Sequence, residues 1–458
     1  MSVRVTSQTS YSQMKCRGTK ISNCVHFKGA TQCQYGLSNG ECVCWRPINL
    51  GTKMKRGNFM NALVQPSVGC AAAAPSRRSF IRLVGGGAVL AATGSLAGCS
   101  GELPEAAIQP WRSPDREVDT RRFMLAHALL APNPHNRQPW IADLREAGRV
   151  HLTCDGERLL PETDPFGRQI LIGCGAFIEL AVIAAAQRGI SAKVELFPDG
   201  VPADQALPKG SRVATLVLGE PGSAAADPLF AQIVRRHTRK SAYENDRTLP
   251  ETLLRSWGDT ATRFGLRTGA ATGAAAMDPV RKITREAYEI EVTTASTWLE
   301  SAWLMRIGPG AITANPDGIS LNSPMVRALH TVRLFDPMEV PVKGSSSLQR
   351  VMDRWMPFET ASGFLWLASP DNTRPTQVAA GRAYVRAHLL ATAAGVDMHP
   401  LSQALQEFPE MSGPRAAIHR TLGLGAGGET LQMLSRVGFA TEPRGPSPRR
   451  SLESLLRT

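Results

Sequence analysis

The sequence predicts an α+β fold in which strands and long helices share a hydrophobic core. Four short runs of alternating or continuous apolar residues are typical of strands, and two longer runs are typical of buried helices. The strand candidates are 149–154, 193–197, 213–218 and 364–368, and the helix candidates are 176–187 and 377–394. Gly189 and Gly395 follow the two helices at positions that favour a C-terminal cap.

Length and charge limit the architecture. The 458 residues suffice for two or three domains, and the formal charge of +13 at first suggests a nucleic-acid-binding protein. The excess is local: residues 1–59 carry nine Lys/Arg against one acid, and residues 60–98 add three arginines. Residues 99–458 therefore retain only +2, which does not support nucleic-acid binding.

Residues 1–59 lack helical or strand periodicity and hold several cysteines. These are Cys16, Cys24, Cys33, Cys42 and Cys44. They allow a small disulfide or zinc module, but their spacing matches no metal-binding pattern. We instead expect translation to begin near Met60, which makes residues 1–59 a non-native or disordered extension.

Residues 60–99 have the features of an export signal. Ser76-Arg77-Arg78-Ser79-Phe80-Ile81-Arg82 matches the twin-arginine motif, and an apolar run too short for a comfortable membrane span follows it. The run ends in a box that resembles a lipoprotein processing site, with Cys99 as the lipidated residue; ordinary signal-peptidase cleavage is the alternative. Because the twin-arginine translocase moves folded proteins, a cofactor loaded before export is favoured. We expect a periplasmic protein, or one anchored to the membrane and facing outward.

The body is predicted to begin near Asp119, and its first motif is a loop rich in amides. An apolar helical run, 123–130, must end where Pro132 and Pro134 forbid further helix. Asn136 and Gln138 follow, and the donors and acceptor of an amide suit the edge of a planar heterocycle such as a flavin. The alternative is a loop that only ends the helix and packs under the next tryptophan.

A cluster of cations follows the strands of the first half. Its segment consists of Arg235, Arg236, His237, Thr238, Arg239 and Lys240. Such charges repel one another unless an anion gathers them, although a solvated helix end is the usual alternative. A hydroxyl among arginine forks favours phosphate, which both groups bind well.

Two stretches are predicted to lie outside the packed core. Residues 100–118 contain three prolines and are expected to be a tether. Residues 306–347 are rich in Gly, Pro and Ser and are expected to be either disordered or a lid over a site. An amphipathic helical stretch, 277–304, precedes the lid region.

These features together resemble the nitroreductase family of FMN-binding flavoproteins, and within it the fused, double-length Acg-like branch. The resemblance covers most of residues 119–458. The segments that carry it are 131–140, 164–168 with 173–176, 235–243, 381–383 with 391–392, 400–403, and 436–438 with 448–450.

The resemblance implies one FMN site shared by two halves. The amide loop would face the flavin ring, and the cation segment would hold the phosphate together with a C-terminal base. A cation such as Arg239 or Lys240 would stabilise the reduced ring, and backbone N–H groups near Ser402 and Gln403 would face N5. The implied binding residues are Pro132, Asn133, Asn136, Gln138, Arg235, Arg236, His237, Thr238, Arg239, Lys240, Ser402, Gln403, Arg449 and Arg450. This chain departs from the family at Asn133, Pro134 and Thr238, where serine is common.

The order of the motifs indicates two fused halves, 119–225 and 226–458. The first holds the amide loop and the second both phosphate segments, and neither repeats the other's motif. We therefore infer a monomer whose halves form a pseudo-dimer around a central sheet flanked by helices, with a single FMN.

The implied function is that of an FMN-dependent oxidoreductase. Hydride would pass through flavin N5 to a nitroaromatic, quinone-like or similar small acceptor, with NAD(P)H as the candidate donor and with no metal or protein nucleophile. Export would remove the protein from NAD(P)H, so a quinol or a partner protein is a second donor class. The alternatives are an exported protein that sequesters FMN with little turnover, and a lipoprotein with an empty, degenerate site.

Overall fold

The computed structural model describes residues 102–112, 114–424, 428–442 and 445–457, and two short strands nearer the N-terminus. These strands, β1 (Met14–Cys16) and β2 (Thr19–Ile21), form an antiparallel pair in the segment predicted to lack strand periodicity. The twin-arginine motif, Cys99 and the expected start at Met60 lie outside the described residues. From residue 102 onward the chain, which we call the body, belongs to one compact unit with hydrophobic clusters of its own.

The first half of the body contains a four-stranded antiparallel sheet. Its strands are β3 (Trp140–Asp143), β4 (Arg149–Cys154), β5 (Ile190–Leu196) and β6 (Arg212–Pro221), in the order β3-β4-β6-β5. Its helices are α1 (Glu105–Ile108), α2 (Thr120–Ala128) and α3 (Arg168–Gln187). Alternate side chains of β4 are buried, as its pattern predicts. The strands predicted at 193–197 and 213–218 correspond to β5 and β6 with shifted ends.

Helix α3 begins eight residues earlier than the sequence suggests. The carboxylate of Asp164 accepts hydrogen bonds from the backbone N of Gln169 (3.1 Å) and Ile170 (2.9 Å), which satisfies the first turn. Gly173 and Gly175 consequently lie inside the helix. Helix α3 is long and apolar enough to cross a membrane, but most of its side chains are buried in the protein, as in the core helix of a globular fold.

The second half contains another four-stranded antiparallel sheet. Its strands are β7 (Arg267–Ala271), β10 (Gly363–Ser369), β11 (Asp397–Pro400) and β12 (Thr430–Gly438), in the order β11-β12-β10-β7. Its helices include α4 (Glu251–Arg263), α5 (Ala274–Thr293), α6 (Ala295–Trp303), α9 (Ser346–Asp353), α10 (Arg374–Ala393) and α11 (Ser412–Thr421). Every residue of β10 is buried, which agrees with its continuous apolar run.

The predicted class, α+β with two halves, is confirmed, but the sheet is not a single central one. Each half has its own sheet, and the halves meet where α3 packs against α10. The helices approach closely because a Cβ on Gly175 would lie 2.1 Å from the carbonyl oxygen of Val378. Glu179 of α3 also pairs with Arg382 (2.6 Å) and Arg386 of α10, and this buried ion network joins the halves.

Residues 306–347 are not one continuous loop. The stretch includes most of β8 (Met305–Ile307), then α7 (Gly308–Ala314), β9 (Ile319–Leu321) and α8 (Pro324–Thr331), and β8 pairs with β9 in parallel. The backbone N of Gly318 donates to the carbonyl of Asn136 (3.2 Å), so this segment lies across the amide loop.

Residues 102–112 are not a solvated tether. They form α1 and a 3₁₀ turn whose apolar side chains, including Trp111, are buried against the body. The indole N–H of Trp111 donates to the carbonyl of Ser447 (2.8 Å), near the C-terminus. A segment predicted from its prolines to be outside the core therefore covers part of it.

Candidate functional site

The amide loop binds the C-terminal segment of the chain. The side chain of Asn136 donates to the carbonyl of Pro448 (2.9 Å) and accepts a hydrogen bond from Arg449. The Oε1 of Gln138 accepts from the backbone N of Arg450 (2.8 Å), and its Nε2 donates to the carbonyl of Pro316 (3.0 Å). Gln138 is fully buried. Both polar atoms of its amide form hydrogen bonds within the protein, and these bonds join the amide loop to the segments at Pro316 and Arg450.

The loop has an unusual backbone. His135, Asn136 and Gln138 have φ values of 47°, 51° and 50°, in the left-handed region that non-glycine residues rarely adopt. Such positions cost about 1–3 kcal/mol each and persist where surrounding contacts determine the conformation. Those contacts include Asn133, whose Oδ1 accepts from the backbone N of Gln138 (2.7 Å).

Two buried arginines lie next to this loop without a carboxylate partner among the described residues. Arg236 comes from the cation segment and Arg449 from the C-terminal segment, and both donate to the carbonyl of Leu130, at 2.7 and 3.1 Å. Their exposed fractions are 1% and 4%. Burial lowers the pKa of Arg236 to about 10, and burial with the nearby Arg236 charge lowers the pKa of Arg449 to about 9.

The arginine pair has unused hydrogen-bond donors. The Nε and Nη1 of Arg236 and the Nε of Arg449 are buried and meet no acceptor in the described part of the chain. Trp111 flanks both guanidinium groups, at 5.7 and 5.2 Å from the ring centroid. Buried like charges with orphaned donors are costly unless an anion accepts from them. The donor set therefore fits an anion with several oxygens, such as a phosphate.

Lys240 has an exposed side chain close to buried titratable groups. Desolvation by the surrounding protein lowers its pKa. Burial lowers the pKa of His135 to about 4 and also lowers the pKa of His399, and the Lys240 charge contributes to both shifts. The two imidazoles are therefore neutral near pH 7.

A buried carboxyl group lies near the lysine. Burial raises the pKa of Glu291, and the nearby ammonium of Lys240 partly opposes this shift. The Oε1 of Glu291 accepts from Nε2 of Gln406 (3.0 Å). The Oε1 of Gln403 is buried and has no partner among the described residues. A cation, a carboxyl group and an unused amide oxygen therefore lie near one another.

Arg436 holds the turn that carries Lys240. Its guanidinium is fully buried and donates to the carbonyls of Arg239 (3.2 Å) and Ser241 (2.7 Å), one on either side of the lysine. Its Nε also donates to Nδ1 of His399 (3.1 Å). The other arm of the guanidinium, Nη1, donates to the carbonyls of Pro357 (2.8 Å) and Thr360 (3.1 Å). A planar fork with five donors can make all these hydrogen bonds at once, whereas a lysine ammonium has only three donors.

The remaining residues predicted to bind FMN lie in several different environments. Arg235 is exposed and, with His237, lines a surface pocket of about 560 Å³. The backbone of Thr238 pairs with Met398 at the start of the turn. Arg450 donates from Nη1 to the carbonyl of Gln138 (3.4 Å), while Pro132 and Ser402 are half-buried.

The structure brings the predicted residues together in two groups. Asn136, Arg236 and Arg449 meet at the arginine pair, whereas Lys240 and Gln403 both lie near Glu291. The sequence analysis gave no individual role to Trp111, Glu291 or Arg436. Trp111 lies in the predicted tether and Glu291 in an ordinary amphipathic helix, so no local signal marks them. Arg436 lies within one of the family segments.

Comparison with known proteins finds similar sequences, although no protein-family model matches the chain. It is 29% identical over 347 residues to "Putative NAD(P)H nitroreductase Rv3131" of Mycobacterium tuberculosis, which covers 74% of this chain and 92% of that protein. It is also 40% identical over 88 residues to "Putative NAD(P)H nitroreductase acg" of the same organism, across 19% of this chain and 26% of that protein.

The chain is therefore similar to proteins of the nitroreductase family. The resemblance predicted from the order of the motifs is confirmed. Among solved structures, the FMN-dependent nitroreductase NfnB from Mycobacterium smegmatis, in complex with NADPH, aligns with 50% of this chain and 96% of its own length. Its sequence identity is 19% and the TM-score is 0.32.

Proposed function

We propose that this protein is an FMN-dependent oxidoreductase that reduces a small nitroaromatic, quinone-like or similar acceptor. The observation that carries the proposal is the buried pair Arg236 and Arg449, whose unpaired donors fit a phosphate. The names of Rv3131 and Acg, both NAD(P)H nitroreductases, support the same class of activity.

The residues present can be assigned to the parts of an FMN molecule by their chemistry. The arginine pair would hold the phosphate, which carries close to two negative charges at neutral pH. Lys240 would hold positive charge beside the ring, and Gln403 offers an unused buried amide oxygen. When bound, the flavin supplies hydride-transfer chemistry at N5.

The protein's own residues bind and orient. Arg436 fixes the backbone on both sides of Lys240 through the two flanking carbonyls. Because this turn is already ordered, ligand binding does not have to supply the entropy cost of ordering it. Desolvation strengthens the interaction of the Lys240 ammonium with any negative charge that develops beside it. The neutral imidazoles of His135 and His399 accept or donate hydrogen bonds there without adding charge.

Substitution of Arg236 tests the phosphate assignment. Arg236→Ala should weaken FMN binding by about 1.5–3 kcal/mol, which is about 10- to 150-fold in Kd, because a charge-assisted hydrogen bond is lost from a buried site. Titration of the apoprotein with FMN, followed by flavin fluorescence, measures this. Arg235→Ala is the matched control, since the neighbouring arginine is exposed. Equal Kd values for both variants would show that the buried pair does not hold the phosphate.

A second candidate function is an FMN-binding protein with little turnover. It is favoured by the ion cluster that holds the 305–321 segment across the amide loop. Asp317 pairs with Arg158 (2.6 Å), Arg306 (2.8 Å) and Arg137 (3.7 Å), and all of these side chains are largely buried. Such a closed cover would restrict access by a donor or an acceptor.

Anaerobic reduction separates the two candidates. NADPH added to the FMN-loaded protein should bleach the flavin absorbance, and a nitroaromatic should restore it, if the protein is the oxidoreductase. Loaded protein that stays yellow with NADPH but bleaches with dithionite would favour the binding protein or a different donor, such as a quinol. Protein that takes up no FMN would contradict both.

We also propose that the protein is exported through the twin-arginine translocase and lipidated at Cys99. The support is the motif at 76–82 and the processing box that ends in Cys99. Membrane fractionation of cells expressing the intact chain and Cys99→Ser tests this. Wild-type protein should remain in the membrane fraction and the variant should become soluble in the periplasm. Two soluble proteins would favour ordinary signal-peptidase cleavage.

A further inference from the structure

Exposed apolar side chains are concentrated in one part of the body. Among the described residues, ten large hydrophobic side chains are exposed, and six of them lie between residues 303 and 342. They are Trp303 (59%), Met325 (74%), Leu329 (36%), Val332 (58%), Leu334 (60%) and Val342 (65%). Scattered exposed hydrophobic residues are ordinary, but a concentration of this kind marks an interaction surface.

Helix α8 organises this surface. Ser323 caps the helix by accepting from the backbone N of Val326 (3.3 Å). Met325, Leu329 and Val332 follow at intervals of four and three residues, so they lie along one face of the helix and its C-terminal cap. Trp303 immediately precedes the region of β8, and α8 packs against that strand. Trp303 and the exposed side chains of α8 therefore belong to one neighbourhood of the fold.

The charge of the same segment suits an anionic surface. Residues 318–335 contain Arg327 and Arg333 and no acidic residue. Arg333 is exposed, beside Leu334. An amphipathic helix with an apolar face and flanking arginines is the composition typical of segments that lie in the interface of a membrane with anionic lipids.

The chain also reaches this surface from its N-terminal side. Asn322 immediately precedes Ser323, the N-terminal cap of α8. Its side chain donates to the backbone carbonyl of Glu102. Glu102 is three residues after Cys99, and three residues span at most about 11 Å. An acyl chain on Cys99 would therefore bring the bilayer close to α8.

We propose that α8 and the turn that follows it, residues 322–334, together with Trp303, form a docking surface for an anionic lipid bilayer. The position of the surface at the membrane rests on the proposed export and lipidation, but its affinity for lipid is a property of the folded body. Docking would place the segment that covers the amide loop against the membrane, where a lipid-soluble electron carrier such as a quinol is found. This offers an exported flavoprotein a donor other than NAD(P)H.

The test uses the body, residues 102–458, which lacks the signal and Cys99 and has hydrophobic clusters of its own. Flotation with phosphatidylcholine vesicles that contain phosphatidylglycerol measures binding. Met325→Glu with Leu329→Glu should reduce the bound fraction about tenfold or more, because charged groups enter the apolar face. Val118→Glu with Val201→Glu is the control, since these exposed valines (88% and 57%) lie outside the surface and change the charge equally.

A second measurement does not depend on the glutamate variants. Vesicles with brominated acyl chains should quench part of the tryptophan fluorescence of the body, and Trp303→Phe should abolish that part. The proposal is overturned if the wild-type body does not bind these vesicles, or if both glutamate pairs lose binding equally. It is also overturned if the surface pair only converts a dimer to a monomer, which would identify a second copy as the occupant. FMN uptake, measured on the same samples, reports separately on the proposed function.

Discussion

The contact between α3 and α10 makes Gly381 the position where the smallest added group should be most damaging. A Cβ at residue 381 would lie 1.9 Å from the carbonyl oxygen of Ile172 and 3.0 Å from the backbone N of Ala176. Both opposing atoms belong to the backbone of a buried helix, so a rotamer change cannot relieve the clash. The oxygen would have to move by about 1.5 Å to reach an ordinary contact of 3.4 Å.

The magnitude follows from two opposing effects of Gly381→Ala. Overpacking of a core costs about 1–3 kcal/mol, and a clash between backbones belongs at the upper end of that range. The higher helix preference of alanine returns about 1 kcal/mol. We therefore expect the free energy of unfolding to fall by about 2 kcal/mol.

Gly258→Ala is the matched control, because Gly258 also lies inside a helix but a Cβ there meets nothing within 4 Å. Alanine should stabilise the protein at this position by up to about 1 kcal/mol. Urea denaturation of both variants measures the difference, which should be about 3 kcal/mol. If Gly381→Ala is as stable as Gly258→Ala, the helices do not meet at this point and the assignment of the seam is refuted.

Two further predictions concern the site and the pH dependence of stability. Arg436→Lys should weaken FMN binding by about 1–2 kcal/mol without changing the exposed surface, because an ammonium with three donors cannot replace all the hydrogen bonds of the guanidinium, which include those to both carbonyls that flank Lys240. An unchanged Kd in the same titration would show that the turn is held otherwise. Burial raises the pKa of Asp164 to about 6, above its value in the unfolded chain, so its contribution to stability is complete below pH 4 and is lost as pH rises through 6. The loss of stability is at most about 3 kcal/mol. Between pH 4.5 and 7.5 the melting temperature should decline less for Asp164→Asn than for the wild type. Equal declines would contradict the raised pKa.

The local hydrophobic pattern predicted those helices and strands whose apolar residues recur with the period of the element. The continuous apolar runs that became α3 and β10, and the alternating run that became β4, could be recognised because their periodicity matches the geometry of the element. The first turns of α3 are harder to recognise because they contain Gly173 and Gly175, and glycine is unfavourable inside a helix. Their use is tertiary: the absence of a side chain lets another helix approach.

Composition gave the wrong prediction for segments that are rich in proline or glycine but also contain residues bound to the rest of the protein. The stretch 306–347 contains helices and strands, and Asp317 holds part of it to Arg137 and Arg158, two arginines that are distant in the chain. Residues 102–112 pack because Trp111 lies against Arg236 and Arg449. These contacts depend on partners that no local window includes.

The sequence by itself determined the fold class, the resemblance to nitroreductases and the residue types available for an anion and a planar ring, since motif order and side-chain chemistry are properties of the chain. Only the tertiary structure decided how those residues are used. In the fold, the amides of Asn136 and Gln138 form hydrogen bonds with the C-terminal segment. Arg236 and Arg449 are buried, and some of their donors have no acceptor among the described residues. The physical reason is that a hydrogen bond depends on distance and direction between atoms, and the fold brings together residues more than 300 positions apart.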